Sequence, residues 1–277
     1  MVGFGHAGMT ITRVLAEGGM KVVAVESQEA DKWGVLGQDI GHINSKILES
    51  FGVPKVDPIE FFNNFMVMTQ GKANPKFCMD FAKYSGDALN WYFDACDQRV
   101  IDGAHVCFWP DNEHTVYTLS NGYKYYAGTL QLAENNNKMD ADKVENPVVL
   151  QDAANCQRDT ALATGNVTLL FGTKGYYLLT NENGDITGFI AKGPDGYIKV
   201  NTAKGVIISS GGFGMNQEMC EDLLPQIYRM CTDEDNLGCF MGRDGSGIQM
   251  GYWAGARMEG EIATQNFDST FGPMPFS

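Results

Sequence analysis

The sequence predicts an α/β fold in which a parallel central sheet is combined with an antiparallel meander and a helical insertion. Three observations support this prediction. A glycine-rich turn at residues 3–8 opens an apolar helix, and a short apolar strand at residues 21–26 follows it. Short strands separated by Asn-Gly and Asp-Gly turns lie between residues 176 and 200. A further apolar strand, at residues 205–210, runs directly into a second group of glycines. Strands that alternate with helices are typical of parallel sheets, whereas strands joined by tight turns are typical of antiparallel ones.

The opening turn has the spacing G-x-G-x-x-G, with Gly3, Gly5 and Gly8 at the three fixed positions. The pattern alone recurs by chance in a glycine-rich chain, so its context decides its meaning. In a dinucleotide-binding fold the first glycine permits a tight turn, and the second lets the backbone approach a pyrophosphate. The third lets the helix pack closely on the strand. Because a helix N-terminus carries about half a positive charge, this turn predicts a site for a phosphate-bearing nucleotide.

The helix and strand after the turn follow in the order that this fold requires. The predicted apolar face of the helix consists of Ala7, Ile11, Val14 and Leu15. Gly18 and Gly19 end the helix, and the next strand ends in Glu26. A carboxylate at this place can accept hydrogen bonds from both ribose hydroxyls, and it repels a 2′-phosphate, which argues against NADP. The alternative is a βαβ unit that binds no ligand.

Only Met1 and Val2 precede the glycine turn. Such a turn follows a buried strand of about five or six residues, which lies in the middle of the parallel sheet. We therefore expect that the first strand is largely missing, and that the natural N-terminus lies upstream or the chain is a fragment.

Helices and loops are predicted for the middle of the chain. An amphipathic helix is expected at residues 43–51, and Asp57-Pro58 and Asn74-Pro75 each cap and open a further helix. The last of these helices carries an aromatic stripe that we interpret as core: Phe77, Phe81, Tyr84, Ala88 and Trp91. Residues 100–145 show no clear period and predict loops and short strands, with an exposed turn at residues 135–137.

Regular elements are predicted again from about residue 148. They are a helix at 149–163, a strand at 167–171, meander strands at 176–180, 186–191 and 197–200, and the strand at 205–210. We predict one domain over residues 1–277. It would contain a Rossmann-like unit at 1–50, a helical and loop insertion at 51–145, and the meander with the return to the sheet at 146–277.

Three segments in this order resemble the FAD-binding domain of the fumarate reductase and flavocytochrome c-like flavoproteins, a family that includes urocanate reductase and ketosteroid dehydrogenases. The first is the glycine turn with Glu26. The second, residues 204–213, ends in Ser-Ser-Gly-Gly-Phe, where the family typically has Ala-Thr-Gly-Gly-Phe. The third is the glycine-rich segment 242–251. Residues 44–46 and 73–91 also look like members from anaerobic bacteria, so the resemblance covers most of the chain.

The resemblance implies FAD as the cofactor and assigns residues to its parts. The pyrophosphate is assigned to Gly3, Gly5, Ala7 and Gly8, and the adenosine ribose to Glu26 with Ser27. The ribityl chain and flavin are assigned to Gly37, Gln38, Asp39, Ile40 and Gly41. The adenine side is assigned to Thr173, Lys174 and Gly175. Ser209, Ser210, Gly211 and Gly212 are placed near the pyrophosphate and ribityl, and Asp244 near the flavin. The second serine keeps the hydroxyl of the family's threonine, whereas Asp244 could equally be a plain helix cap.

The same resemblance implies a reaction for the full-length protein. Flavin would deliver a hydride to the activated double bond of a small molecule, an unsaturated carboxylate or enone, with an unidentified electron donor. In the family an arginine under a capping domain donates the proton. We expect that capping domain to be absent here, because the sequence ends before the expected arginine motif.

No catalytic residue can be named from the sequence. Arg243 is an arginine in these motifs that could approach the flavin. His6 and His42 lie in loops that would face FAD, whereas His105 and His114 have no supporting motif. A histidine that acts as an acid needs a positioned partner, so we interpret all four as ordinary loop or surface residues.

Composition excludes several other classes of function. With 34 acidic and 20 basic residues the formal net charge is −14, which argues against nucleic-acid or membrane-surface binding. The seven cysteines contain no Cys-x-x-Cys pair, so we predict neither a disulfide framework nor a metal site. No apolar run reaches the roughly 18 residues of a membrane span, and we expect a cytoplasmic protein. An export signal upstream stays an alternative.

Two other functions stay open at the level of sequence. The chain could be a non-catalytic, truncated nucleotide-binding fragment, as the missing first strand suggests. An NAD-dependent oxidoreductase would use the same glycine turn and acid, although the long insertion and the late Ser-Ser-Gly-Gly-Phe segment favour FAD.

Overall fold

The computed structural model describes residues 1–35, 37, 39–106, 116–118, 124–126, 128–132, 148–225 and 243–258. The helices are α1 (His6–Glu17), α2 (Lys46–Ser50), α3 (Pro58–Met68), α4 (Pro75–Phe93), α5 (Gln98–Gly103), α6 (Leu150–Ala163), α7 (Gln217–Leu223) and α8 (Ser246–Trp253). The strands are β1 (Val22–Val25), β2 (Asp39–Gly41), β3 (His105–Val106), β4 (Val116–Thr118), β5 (Lys124–Tyr126), β6 (Thr129–Gln131), β7 (Val167–Leu170), β8 (Lys174–Thr180), β9 (Ile186–Gly193) and β10 (Gly196–Asn201). The chain divides into two compact units, Met1–Leu36 with Ala161–Ser277, and Gly37–Thr160.

The first unit contains the predicted parallel sheet. β1 pairs in parallel with β7, with Val22 opposite Val167 and Val25 opposite Leu170. Val2 pairs in parallel with Val25 on one side and with Ile208 on the other. The start of the chain therefore lies between two parallel neighbours, as expected for the strand before the glycine turn.

Hydrogen bonds hold this short first segment in the sheet. The Val2 amide donates to the Ile207 carbonyl at 2.9 Å, and the Ser209 amide donates to the Val2 carbonyl at 2.8 Å. On the other side, the Gly3 amide donates to the Val25 carbonyl at 2.9 Å. The chain after residue 205 thus returns to the parallel sheet as predicted, although Ile208 forms an isolated bridge rather than the full strand expected at 205–210. The glycine turn begins next to this bridge.

The predicted meander is also present in the first unit. β8, β9 and β10 form an antiparallel sheet in sequence order. Phe189 and Ala191 of β9 are buried against Val2, Val25 and Met250. One apolar cluster therefore packs the parallel sheet, the meander and α8 against one another.

The apolar face predicted for α1 is wrong, although the helix itself is confirmed. Its buried residues are Gly8, Met9, Thr12, Arg13 and Ala16. Val14 is 52% exposed, and Ala7 is also exposed. Gly8 lies on the buried face, where a Cβ would overlap the Gly3 carbonyl oxygen, so this face of the helix packs against the glycine turn.

The second unit contains the predicted helices and the short strands of the insertion. The Asp57 side chain caps α3 by accepting from the Ile59 amide, and Asn74 caps α4 by accepting from the Lys76 amide. β2, β6 and β3 form a three-stranded antiparallel sheet, and β4 pairs with β5. The turn predicted at residues 135–137 lies outside the described residues, and the predicted domain boundaries stay a prediction.

The aromatic stripe of α4 is not core, contrary to prediction. Phe77 is 66% exposed and Tyr84 is 58% exposed. The buried residues of α4 lie one or two positions further along the helix: Cys78, Ala82, Gly86, Leu89, Tyr92 and Phe93. A Cβ on Gly86 would lie 2.4 Å from the Ile43 carbonyl oxygen. The close backbone approach at Gly86 selects this narrower face, which hydrophobicity alone did not indicate.

The helix predicted at residues 43–51 is shorter than expected. α2 begins at Lys46 because Ser45 caps it, accepting from the Leu48 amide at 3.2 Å. Asn44 before the cap has a positive φ of 61° and exchanges two hydrogen bonds with the backbone of Val56. The segment before α2 is therefore a fixed loop rather than a first helical turn.

Candidate functional site

Two glycines of the opening turn are required by the packing of the protein itself. Gly3 has a φ of 91°, and a Cβ there would lie 2.7 Å from the Ser209 carbonyl oxygen. A Cβ on Gly8 would lie 2.1 Å from the Gly3 carbonyl oxygen and 2.5 Å from Ser209 Oγ. These contacts explain the first and third glycines without any ligand.

The middle glycine is different. Gly5 is the N-cap of α1 with a φ of −70°, which any residue can adopt. The nearest atom to a Cβ on Gly5 is Arg243 Nη2, 4.0 Å away. Gly5 has no side chain with which to cap the helix, and the first turn of α1 contains no acidic residue. The absence of a side chain at this position leaves open space at the positive end of α1.

Glu26 is buried next to this turn, with an exposed fraction of 6%. Its Oε2 accepts from the Phe4 amide at 2.8 Å, and its Oε1 accepts from the Gln28 amide at 2.9 Å. The Ser27 hydroxyl lies 3.3 Å from Oε1. Glu26 therefore fixes the glycine turn to the end of β1. Because each carboxylate oxygen can accept more than one hydrogen bond, both oxygens can still accept from a ligand.

Two aromatic side chains, Phe4 and Trp33, pack together beneath the glycine turn on its buried side. Phe4 is fully buried, and its ring centroid lies 5.7 Å from that of Trp33. The indole nitrogen of Trp33 donates to the Phe4 carbonyl at 3.0 Å. The backbone of the turn is thus fixed at both polar groups of Phe4. Its amide donates to Glu26, and its carbonyl accepts from Trp33.

A cleft of about 270 Å³ opens above the turn. Many of the predicted binding residues line it: Gly3, Gly5, Glu26, Ser27, Thr173, Lys174, Gly175, Ser209, Ser210 and Asp244. Val2, Val25, Gln28, Arg243 and Ser246 also line it. The structure therefore brings together residues that are more than 200 positions apart in the sequence.

Lys174 and Asp244 form an ion pair at the edge of the cleft, with 2.5 Å between Nζ and Oδ2. Asp244 Oδ1 also accepts from the Ser246 amide at 3.0 Å. The N-cap residue of α8 is Gly245, not Asp244, so both roles expected for Asp244 stay predictions. Burial acts to raise the pKa of Asp244, but the hydrogen bonds from Lys174 and Ser246 outweigh it and lower the pKa to about 2. Asp244 is therefore charged at neutral pH.

The remaining predicted residues lie elsewhere. Ala7 and Gly8 are in the first turn of α1, and Gly211 and Gly212 follow Ser210 directly. Four others belong to the second unit: Gly37, Asp39, Ile40 and Gly41. Gln38 lies outside the described residues. The binding role of every predicted site residue, in the cleft or elsewhere, stays a prediction.

The histidines gain no catalytic role from the structure. His42 is buried rather than at the surface, with 2% exposed. Its Nδ1 lies 3.1 Å from the Ile40 carbonyl and its Nε2 lies 2.7 Å from Ser45 Oγ. Because a carbonyl only accepts, Nδ1 carries the proton and Nε2 accepts from Ser45. Burial lowers the pKa of His42 to about 4, and the bond to Ile40 opposes this. His42 is therefore a neutral structural residue.

Burial also lowers the pKa of His6 at the start of α1. His105 lies in β3 of the second unit, half-buried, and His114 lies outside the described residues.

Sequence reasoning missed two polar residues of the cleft. Gln28 exchanges hydrogen bonds with the backbone of Gly34 and donates its own amide to Glu26. Ser246 opens α8 beside Asp244. The signal for Gln28 was its position two residues after the acid at the end of β1. Ser246 could be recognised only as the start of a helix.

Comparisons with known proteins rest on structure. No protein-family model and no curated protein matches this sequence. Among solved structures, a 3-ketosteroid Δ1-dehydrogenase from Sterolibacterium denitrificans matches 93% of this chain with a TM-score of 0.68 and 17% identity. A 3-ketosteroid Δ4-(5α)-dehydrogenase from Rhodococcus jostii matches 92% with a TM-score of 0.66 and 18% identity. A flavocytochrome c3 fumarate reductase matches 92%, also with a TM-score of 0.66 and 18% identity.

These matches show the fold. The chain has the fold shared by these dehydrogenases and this reductase, which confirms at the level of fold the resemblance found in the sequence. It spans 54%, 53% and 40% of the lengths of the three chains, in the order given above.

Proposed function

We propose that the protein is an FAD-dependent oxidoreductase that resembles fumarate reductase and reduces the activated double bond of a small molecule. The observation that carries this proposal is the open space at Gly5. Gly3 and Gly8 are explained by contacts within the protein, whereas the nearest protein atom to a Cβ on Gly5 is 4.0 Å away, so a ligand can approach the backbone there. The buried carboxylate of Glu26 at the same cleft, and the shared fold, support a dinucleotide as that ligand.

The residues of the cleft fit the adenosine diphosphate part of FAD. A cleft of about 270 Å³ is slightly smaller than the ~300–1,000 Å³ of complete ligand pockets, so it suits part of a dinucleotide. The main-chain amides after Gly5 would hold phosphate at the N-terminus of α1. Glu26 would accept from the ribose hydroxyls, and Thr173 to Gly175 would border the adenine.

The chemistry would come from the cofactor. When bound, FAD supplies hydride transfer, whereas the protein binds it, orients it and tunes its electronics. The unsaturated carboxylate or enone, the unidentified electron donor and the cytoplasmic location are parts of this proposal. Gly37 to Gly41 would contact the ribityl chain and flavin. We assign no catalytic residue.

The test is to purify the 277-residue protein and record its visible spectrum, then titrate it with FAD while following flavin fluorescence. We expect a flavin absorption band, or saturable binding of FAD to the colourless protein. FMN, which lacks the adenosine part, should bind much more weakly. A protein that gains no FAD on reconstitution would sink the proposal, and tight binding of NAD⁺ in place of FAD would favour the NAD-dependent alternative.

A further inference from the structure

Arg243 crosses the cleft between the two glycine-rich turns. Gly211 has a φ of 85°, and a Cβ there would lie 2.6 Å from Arg243 Cδ and 2.7 Å from Nε. The stem of the arginine therefore lies directly over the backbone of Gly211. From there Nη2 reaches to 4.0 Å from the position that a Cβ on Gly5 would take. The guanidinium thus lies close to the N-terminus of α1.

Backbone hydrogen bonds fix the position of this arginine. Its carbonyl accepts from the Met215 amide at 2.8 Å, and the Gly245 amide donates to the Gly212 carbonyl at 3.1 Å. The next residue, Asp244, is bound to Lys174 across the cleft edge. The start of the side chain is therefore anchored on both sides, and its path over Gly211 keeps it directed towards Gly5.

The guanidinium of Arg243 lies in a cleft that also contains two carboxylates. The protein has a formal net charge of −14, and two carboxylates, Glu26 and Asp244, line the cleft. The charge of Lys174 is offset by Asp244 at 2.5 Å. The guanidinium of Arg243 lies within reach of an anionic ligand at Gly5 and would add a full positive charge to the partial charge of the helix.

We propose that Arg243 binds the diphosphate of the cofactor, opposite the main-chain amides of the opening turn. The inference rests on the proposed function, since it concerns the same cleft. A guanidinium presents a planar fork of N–H donors that matches two phosphate oxygens, and such charge-assisted bonds are stronger than those between neutral groups.

The experiment compares three ligands on the full chain. FAD binding is followed by flavin fluorescence, and binding of ADP and adenosine by calorimetry. For Arg243→Ala we expect a loss of roughly ten- to a hundredfold in affinity for FAD and for ADP. Affinity for adenosine, which carries no phosphate, should change less than about threefold. Arg243→Lys keeps the charge but not the fork and should give an intermediate loss.

Arg158→Ala is the matched control, because it removes an equal charge from an arginine that is paired with Asp159 and does not line the cleft. Thermal unfolding of each apo variant shows whether it is folded. If Arg243→Ala binds FAD and ADP as the control does, or loses adenosine equally, the inference falls while the proposed function stands. If the unaltered protein binds none of the three ligands, both fall.

Discussion

The backbone amide of Phe4, inside the opening glycine turn, donates a hydrogen bond of 2.8 Å to the buried carboxylate of Glu26 at the end of β1. The acid that is predicted to bind ribose therefore also fixes the turn that is predicted to bind phosphate. The two parts of the candidate site are coupled, because a change at Glu26 alters the position of both.

Glu26→Ala should lower both stability and FAD affinity. The substitution leaves the amides of Phe4 and Gln28 without their acceptor in a buried place, which costs about 1–3 kcal/mol in the free energy of unfolding. FAD also loses its ribose acceptor. Urea denaturation and fluorescence titration measure the two effects. Glu182→Ala, at an exposed turn of the meander, should change neither. Unaltered FAD affinity in Glu26→Ala would remove the basis for the ribose assignment.

The ion pair of Lys174 and Asp244 should appear in the acid dependence of stability. The pKa of Asp244 is lowered to about 2 in the folded protein, from an ordinary value near 4. The contribution is therefore present above about pH 4 and is lost as the pH falls towards about 2. The side chains are 39% and 57% exposed, so a double-mutant cycle of Lys174→Met and Asp244→Asn should give a coupling of only about 0.2–1 kcal/mol at pH 7.

The same double-mutant cycle should be repeated at pH 2, and its coupling free energy compared with that at pH 7. At pH 2 the coupling should be clearly smaller than at pH 7, because at a pH near its pKa of about 2 roughly half of Asp244 is protonated in the folded protein. A coupling of equal size at both pH values would show that charge attraction does not hold this edge of the cleft.

The order of elements could be predicted from the sequence, because glycine turns, caps and strand-turn repeats are local signals. Asn74 and Pro75 mark the start of α4, and Glu26 ends β1, as predicted. The faces of helices could not be predicted in this way. On α1 and α4 the buried face is selected by Gly8 and Gly86, where backbones approach closely. Which neighbour approaches a glycine is a property of the tertiary structure.

In the cleft, too, features with a local sequence signal could be predicted, whereas contacts between distant residues could not. The acid and the glycine turn carry a local pattern, so both were found in the sequence. The ion pair between Lys174 and Asp244 joins residues 70 positions apart, and no local pattern indicates it. The difference between Gly5, which is open, and Gly3, which is packed, also depends on Ser209 from the other end of the chain.

Substitutions on the two faces of α4 test the corrected core. Leu89→Ala removes a side chain that is 3% exposed and should cost about 2–5 kcal/mol. Phe77→Ala removes a larger side chain that is 66% exposed and should cost no more than about 0.5 kcal/mol. Urea denaturation measures both. An equal or greater loss for Phe77→Ala would restore the aromatic stripe as the buried face.

His42 should make the protein less stable in weak acid. Its pKa is lowered to about 4 by burial, whereas in the unfolded chain it is about 6.5. Between these values the unfolded chain binds the proton and the folded protein does not, so stability falls as the pH drops from 6.5 to 4, by up to about 3 kcal/mol. Denaturation at pH 7 and pH 4.5 measures this.

In His42→Gln the group that titrates is removed, so this part of the pH dependence should disappear even if stability at pH 7 is lower. If His42→Gln and the unaltered protein lose the same free energy between the two pH values, the slope comes from other groups.

Paired substitutions in the opening turn separate folding from binding. A Cβ on Gly8 would overlap the Gly3 carbonyl oxygen at 2.1 Å, so Gly8→Ala should destabilise the protein by about 1–3 kcal/mol or more. Gly5→Ser adds a side chain where the nearest atom to its Cβ is 4.0 Å away. Because serine is a preferred N-cap, the stability of Gly5→Ser should be unchanged or higher.

For Gly5→Ser, unlike stability, FAD affinity should fall. The serine at position 5 would occupy the space through which a phosphate reaches the amides of α1, so FAD affinity should fall at least tenfold, or about 1.4 kcal/mol. Thermal unfolding and fluorescence titration on the same samples measure the two quantities. A stable Gly5→Ser protein that still binds FAD with full affinity would mean that the open space at Gly5 is not where the cofactor's phosphates lie.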